Sequence, residues 1–147
     1  MEESTKSCII ISLETILNPP NDEHVPNNAF ACWMFAKEAH LPVAKIIGDN
    51  AFLRCALLSL INLPQVETVG TRAFSGCTAA TKIYAPKVQK LKNESFQGCK
   101  SATEITFGPS LLEMGDSAMQ GCESVEQLNI PNINKMGDHA LQGCKNL

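Results

Sequence analysis

Val69-Gly70-Thr71-Arg72-Ala73-Phe74-Ser75-Gly76-Cys77 is one instance of a pattern that returns along most of the chain. The cysteine that closes it belongs to a series, Cys32, Cys55, Cys77, Cys99, Cys122 and Cys144, with steps of 23, 22, 22, 23 and 22 residues. Prolines keep the same beat at Pro20, Pro42, Pro64, Pro86, Pro109 and Pro131, and a large apolar residue precedes each cysteine: Phe30, Phe52, Phe74, Phe96, Met119 and Leu141. A fixed period of this length marks a stacked-repeat protein, in which a unit buries its apolar face only against its neighbours. Six copies start at the six prolines, and the last stops short at Leu147.

Within a unit, Ile61 and Leu63 alternate with Asn62, the period of two expected of a short strand with one buried face. Asn27, Asp49, Thr71, Asn93, Asp116 and Asp138 take the next fixed position, each a residue type that caps a helix start by accepting an orphan backbone N–H. The Ala-Phe pair then falls on a short helical turn, which Gly76, Gly98, Gly121 or Gly143 ends by tolerating a left-handed backbone. A helical hairpin needs about 33 residues or more, so units of this length exclude helix-pair solenoids. The expectation is an α/β repeat solenoid of the leucine-rich-repeat kind, a right-handed coil with a parallel sheet on the concave face and short helical turns on the convex side.

Ile47-Gly48-Asp49-Asn50-Ala51-Phe52 and the Val69 to Cys77 segment, each followed by Leu-Pro or Ala-Pro, resemble the BspA-like leucine-rich repeats, also called the Treponema pallidum type. The resemblance covers residues 20–147. It implies a role in adhesion and protein binding, as in bacterial surface proteins and the expanded families of parasitic protists that carry such repeats.

Parallel strands in successive coils lie about 4.8 Å apart, so equivalent residues stack as ladders. Ile61, Ile83, Ile105 and Leu128 make one buried ladder, and Leu63, Ala85, Phe107 and Ile130 another; the Phe30 to Leu141 series fills the interior from the helical side. The outward strand positions are the candidate protein-binding site: Leu60 and Asn62, Lys82 and Tyr84, Glu104 and Thr106, Gln127 and Asn129, with Glu38 and His40 in the first copy. They vary while the core positions repeat, and a variable surface on a constant frame suits recognition. A solvated strand face with no partner accounts for the same residues. Lys82, Lys87, Lys90, Lys92 and Lys100 form a local basic stretch that suits an acidic partner or a plain solvated face.

The 147 residues are room for one domain with a continuous core. At 44% apolar and 18% charged the composition is globular, and a net charge of -3 argues against a general nucleic-acid binder. No Ser/His/Asp or Cys/His arrangement emerges from His24, His40 and His139, and no phosphate-binding glycine motif appears, so no enzyme activity and no cofactor are expected. Close cysteine pairs are missing, which disfavours a metal site. The six repeated cysteines are expected to be reduced and buried, since a small apolar side chain at a tight corner explains their regularity; disulfides between adjacent coils are the alternative. Asn93-Glu94-Ser95 is a weak glycosylation match.

Residues 1–19 are expected to form an N-terminal cap ahead of the array at 20–147. Their apolar run from Cys8 to Leu13 is broken by Ser12 and followed by Glu14, a poor signal peptide, and no run is long enough to insert into a membrane. A cytoplasmic setting follows, with the cell surface as the alternative if the chain is part of a longer array. At the other end, Leu128, Ile130, Ile133, Met136, Leu141 and Leu147 would lack stacking partners and favour self-association through the C-terminal coil. The expected function is a non-catalytic protein-binding scaffold, with a structural, self-associating repeat protein or a fragment of a cell-surface adhesin as alternatives.

Overall fold

The computed structural model describes residues 9–12, 15–17 and 22–147. Twelve short strands follow one another: β1 (Ile9–Ser12), β2 (Thr15–Leu17), β3 (His24–Val25), β4 (Glu38–His40), β5 (Ile46–Ile47), β6 (Leu60–Asn62), β7 (Thr68–Val69), β8 (Lys82–Ala85), β9 (Lys90–Leu91), β10 (Glu104–Phe107), β11 (Glu113–Met114) and β12 (Lys135–Met136). They form two six-stranded sheets, β1-β2-β4-β6-β8-β10 and β3-β5-β7-β9-β11-β12, between which the chain alternates from β2 to β11. All pairings are parallel apart from the antiparallel β1 and β2. This is the solenoid that the period demands, since residues 22 or 23 apart meet in register: Leu60 pairs with Lys82 and Lys82 with Glu104.

The first sheet contributes Ile61, Ile83, Ala85 and Phe107 to one continuous apolar core, and the second contributes Ile47, Val69, Leu91 and Met114. Ile105, Leu128, Ile130 and Leu141 pack against that core while only partly buried. Along its axis runs an aromatic stack. Phe30 and Phe52 lie 5.3 Å apart between ring centroids, Phe52 and Phe74 4.9 Å, and Phe74 and Phe96 5.2 Å, with the last two pairs within 6° of parallel.

The expected helical turns are absent: among the described residues there is no helix, and the coil is built from strands and turns alone. The backbone gives the reason. Asn28, Asn50, Arg72, Glu94, Ser117 and His139, each one residue after the expected cap, have φ between 54° and 61°, in the left-handed region that cannot continue a right-handed helix. A second left-handed residue follows four positions later, at Cys32, Arg54, Gly76, Gly98, Gly121 and Gly143. The alternation turns every second N–H along the array. Phe52 N donates to Ala73 O at 2.7 Å, Phe74 N to Ser95 O at 2.8 Å and Phe96 N to Ala118 O at 2.8 Å. A helix would have consumed those groups internally.

The supposed caps are a second ladder between coils. Asp49 N donates to Asn27 Oδ1 at 2.7 Å, Thr71 N to Asp49 Oδ1 at 2.8 Å, Asp116 N to Asn93 Oδ1 at 2.9 Å and Asp138 N to Asp116 Oδ1 at 2.9 Å. Glycine precedes most of these residues because the coils touch there. A Cβ on Gly70 would sit 2.7 Å from Asp49 Oδ1, and one on Gly115 2.4 Å from Asn93 Oδ1.

The cysteine series also needs correcting. Cys55, Cys77, Cys99 and Cys122 are buried, but Cys144 is half-buried and Cys32 is exposed. Cys32 has the positive φ of Arg54 and Gly76, so it occupies the left-handed position, and the neighbouring Trp33 stands where later coils place cysteine. The other thiols donate backwards to main-chain oxygens: Cys55 to Phe30, Cys77 to Phe52, Cys99 to Phe74, Cys122 to Phe96 and Cys144 to Met119, at 3.2 to 3.4 Å. Desolvation pushes the Cys55 thiol up to about 12 and raises Cys77 well above its ordinary value. Cys8 and most of the expected N-terminal cap lie outside the described residues; within it, β1 and β2 extend the first sheet beyond β4.

Candidate functional site

The outer face of the first sheet is where register brings the variable residues together. One row runs Glu38, Leu60, Lys82, Glu104 and the next His40, Asn62, Tyr84, Thr106, each residue paired with its neighbour in the following strand. Strand alternation sets this outcome, because Ile61 and Ile83 point into the core between them. Glu38 and His40 fall in register with Leu60 and Asn62 and carry the two rows into the first copy.

Polar contacts run along β4 and across strands. His40 Nε2 lies 2.9 Å from Glu38 Oε2, and Asn62 Nδ2 lies 3.4 Å from His40 Nδ1. Lys82 Nζ reaches Glu104 Oε2 at 3.6 Å with both side chains well exposed, a contact worth little in stability. Tyr84 is 44% exposed between Asn62 and Thr106, an aromatic ring standing on a polar floor. Gln127 and Asn129 do not join it in a strand. Residues 125–130 form no strand pairing.

Among the described residues, no group of three or more His, Cys, Asp and Glu could hold a metal ion. No helix there is long and apolar enough to cross a membrane.

The basic stretch is dispersed by the coil. Lys82 lies on the first sheet, Lys87 Nζ donates to Gln65 Oε1 at 2.7 Å, and Lys90 and Lys92 line a hollow beside the second sheet with Lys135 from two coils further on. Sequence reading missed that convergence, although Lys92 in place of glycine signalled it. It also missed an apolar corner where Met34 is 53%, Phe35 63% and Leu57 48% exposed; the Met34-Phe35 pair, in place of the Thr78-Ala79 or Lys100-Ser101 of later coils, was the available sign.

The family model for the "BspA type Leucine rich repeat region" matches residues 23–147 in 6 copies. No curated protein matches the chain. Among solved structures the chain is similar to the T. pallidum leucine rich repeat protein, with a TM-score of 0.67 at 18% identity, covering 93% of this chain and 79% of that one. It is also similar to a leucine rich cell surface protein from Faecalibacterium prausnitzii, with a TM-score of 0.57 at 18% identity, covering 95% of this chain and 51% of that one. It thus spans about half the length of the second relative, and at these identities the likeness is one of fold.

Proposed function

The chain belongs to the BspA-type leucine-rich repeat family, and from that premise we propose that it is a non-catalytic scaffold that binds a protein partner through the outer face of its first sheet. The observation that carries this reading is the contrast on β6, β8 and β10. Core rungs repeat as Ile61, Ile83 and Ile105, while the outward rungs read Leu60, Lys82, Glu104 and Asn62, Tyr84, Thr106 in strict register. Tyr84 is the anchor, an amphipathic ring flanked in register by Asn62 and Thr106, and tyrosine is enriched among interface hot spots. Gln127 and Asn129 extend the surface as an exposed, unpaired margin.

Two lines bear on setting. Thiols bonded to carbonyls suit the reducing compartment of a cytoplasmic protein, whereas the relative described as a cell surface protein supports the surface alternative. Self-association through the last coil is the second reading, favoured by Met136 and Leu147, each about half exposed.

The test is comparative capture. The protein, the double variant Tyr84→Ala with Lys82→Ala, and a second-sheet control Thr68→Ala serve as baits, with sedimentation of each across a range of concentrations. We expect a captured protein to be lost with the double variant and kept with the control, at unchanged Tm. Equal capture by all three baits refutes the first-sheet site, and concentration-dependent association of the bait alone shifts the assignment to self-association.

A further inference from the structure

The ladder of side-chain oxygens is interrupted at a single rung, and a cationic hollow opens there. In four steps the rung residue accepts the backbone N–H of its counterpart one coil on: Asn27 from Asp49, Asp49 from Thr71, Asn93 from Asp116, and Asp116 from Asp138. The remaining step, Thr71 to Asn93, has no such bond, and no side chain of the preceding coil accepts from the Asn93 amide. Threonine explains the gap. Its hydroxyl sits one bond closer to the backbone than an Asx oxygen and falls short of the next coil.

The same shortfall makes room for a side chain. The residue before the rung is glycine at Gly48, Gly70, Gly115 and Gly137, where an added Cβ would meet the preceding rung at 2.4 to 2.7 Å. Only after Thr71 does the array place a larger residue with a charge, Lys92, which is exposed and lines the hollow. The hollow has a volume of about 450 Å³ and is walled by Thr71, Lys92 and Asn93 on one coil edge and by Lys90 and Lys135 on the second sheet.

Its charge is biased. Lys90 Nζ pairs with Glu113 Oε2 at 3.2 Å, which leaves Lys92 and Lys135 against Asp116, whose Oδ1 already accepts from the Asp138 amide. Lys92, Lys135, Asn93 and Thr71, all residues that carry hydrogen-bond donors, line this one space, and the Asn93 side-chain oxygen is already engaged by the Asp116 amide. An acceptor-only group satisfies that set, and charge-assisted hydrogen bonds are the strong ones.

We infer that this hollow is a binding site for a small oxyanion group, a carboxylate or a phosphate or sulfate, on a ligand distinct from the partner of the first sheet. Lys92 and Lys135 neutralise the charge and the Asn93 amide fixes one oxygen. Threonine at 71 and lysine at 92 together form the device, since either one with its usual counterpart would close the gap or leave it uncharged.

Amide-resolved NMR titration is the experiment, with inorganic phosphate, sulfate and glucuronate as separate probes and chloride at matched ionic strength as the control. The Asn93 amide is expected to shift saturably with at least one oxyanion and not with chloride, and the responding probe tells phosphate or sulfate from carboxylate. Lys92→Gly restores the glycine rung and is expected to weaken binding by about tenfold or more, the worth of one charge-assisted hydrogen bond, with the rest of its spectrum serving as the fold check. Lys135→Gln, an exposed change, is the second variant. Absence of saturation with every oxyanion, a response equal to that of chloride, or affinities unchanged in both variants would overturn the inference.

Discussion

Replacing Phe74 by Ala tests whether the aromatic stack is the structural axis of the array. Phe74 is fully buried and lies between Phe52 at 4.9 Å and Phe96 at 5.2 Å, nearly parallel to both. Truncating a buried Phe costs about 3–5 kcal/mol through lost transfer energy and the cavity left behind. Two ring pairs are lost together, each worth roughly 0.5–1.5 kcal/mol beyond area, and in-register coils on both sides hold the cavity open. The cost therefore falls at the top of that range, about 4–5 kcal/mol, a large share of the roughly 5–15 kcal/mol that stabilises a domain. For a chain of this size it lowers Tm by roughly 8–20 °C. Urea unfolding followed by far-UV circular dichroism, with Trp33 fluorescence as a second probe, reads the difference. Leu141→Ala, at a half-buried rung of the same series, should cost only about 1–2 kcal/mol. A loss below about 2 kcal/mol for Phe74→Ala, or equal losses at the two sites, would refute the view that rigid stacking concentrates stability at the centre.

Asp49→Ala should cost about 1–2 kcal/mol by orphaning the Thr71 amide, and Thr71→Ala under about 0.5 kcal/mol, because no amide depends on its hydroxyl; similar losses would favour the helix-cap role over the inter-coil ladder. Alkaline pH should weaken the fold through its thiols. Burial raises Cys55 from an ordinary 9.0 to about 12, so above pH 9 the unfolded chain sheds a proton that the folded one keeps. Stability is complete below that point and falls by about 1.4 kcal/mol per pH unit as pH rises toward 12. Urea midpoints at pH 8 to 11 for the protein and for Cys55→Ala check this, and parallel curves would exclude the thiol as a source of the loss.

Much of the architecture was legible because period is a property of sequence. Prolines and apolar residues recurring every 22 or 23 positions place equivalent residues on adjacent coils, and strand alternation then decides that Lys82 and Tyr84 face out while Ile83 faces in. The candidate face on β6, β8 and β10 follows from those two facts alone. Family membership was legible too, from the Ile47 to Phe52 and Val69 to Cys77 segments.

What the sequence could not determine by itself is where each backbone group finds its partner. Asn27, Asp49 and Asp116 have the local chemistry of helix caps, but the amide donors they accept from lie 22 residues away, and left-handed residues at Asn28 and Asn50 turn the chain toward them. Cysteine spacing likewise misled at Cys32, whose place is set by its left-handed backbone and not by the count from Cys55. The cationic hollow depends on Lys135 meeting Lys90 and Lys92 across two coils. Local propensity is a weak energy, and in a solenoid the hydrogen bonds and close contacts between coils are many and cooperative, so tertiary structure decides whatever the single unit leaves undetermined.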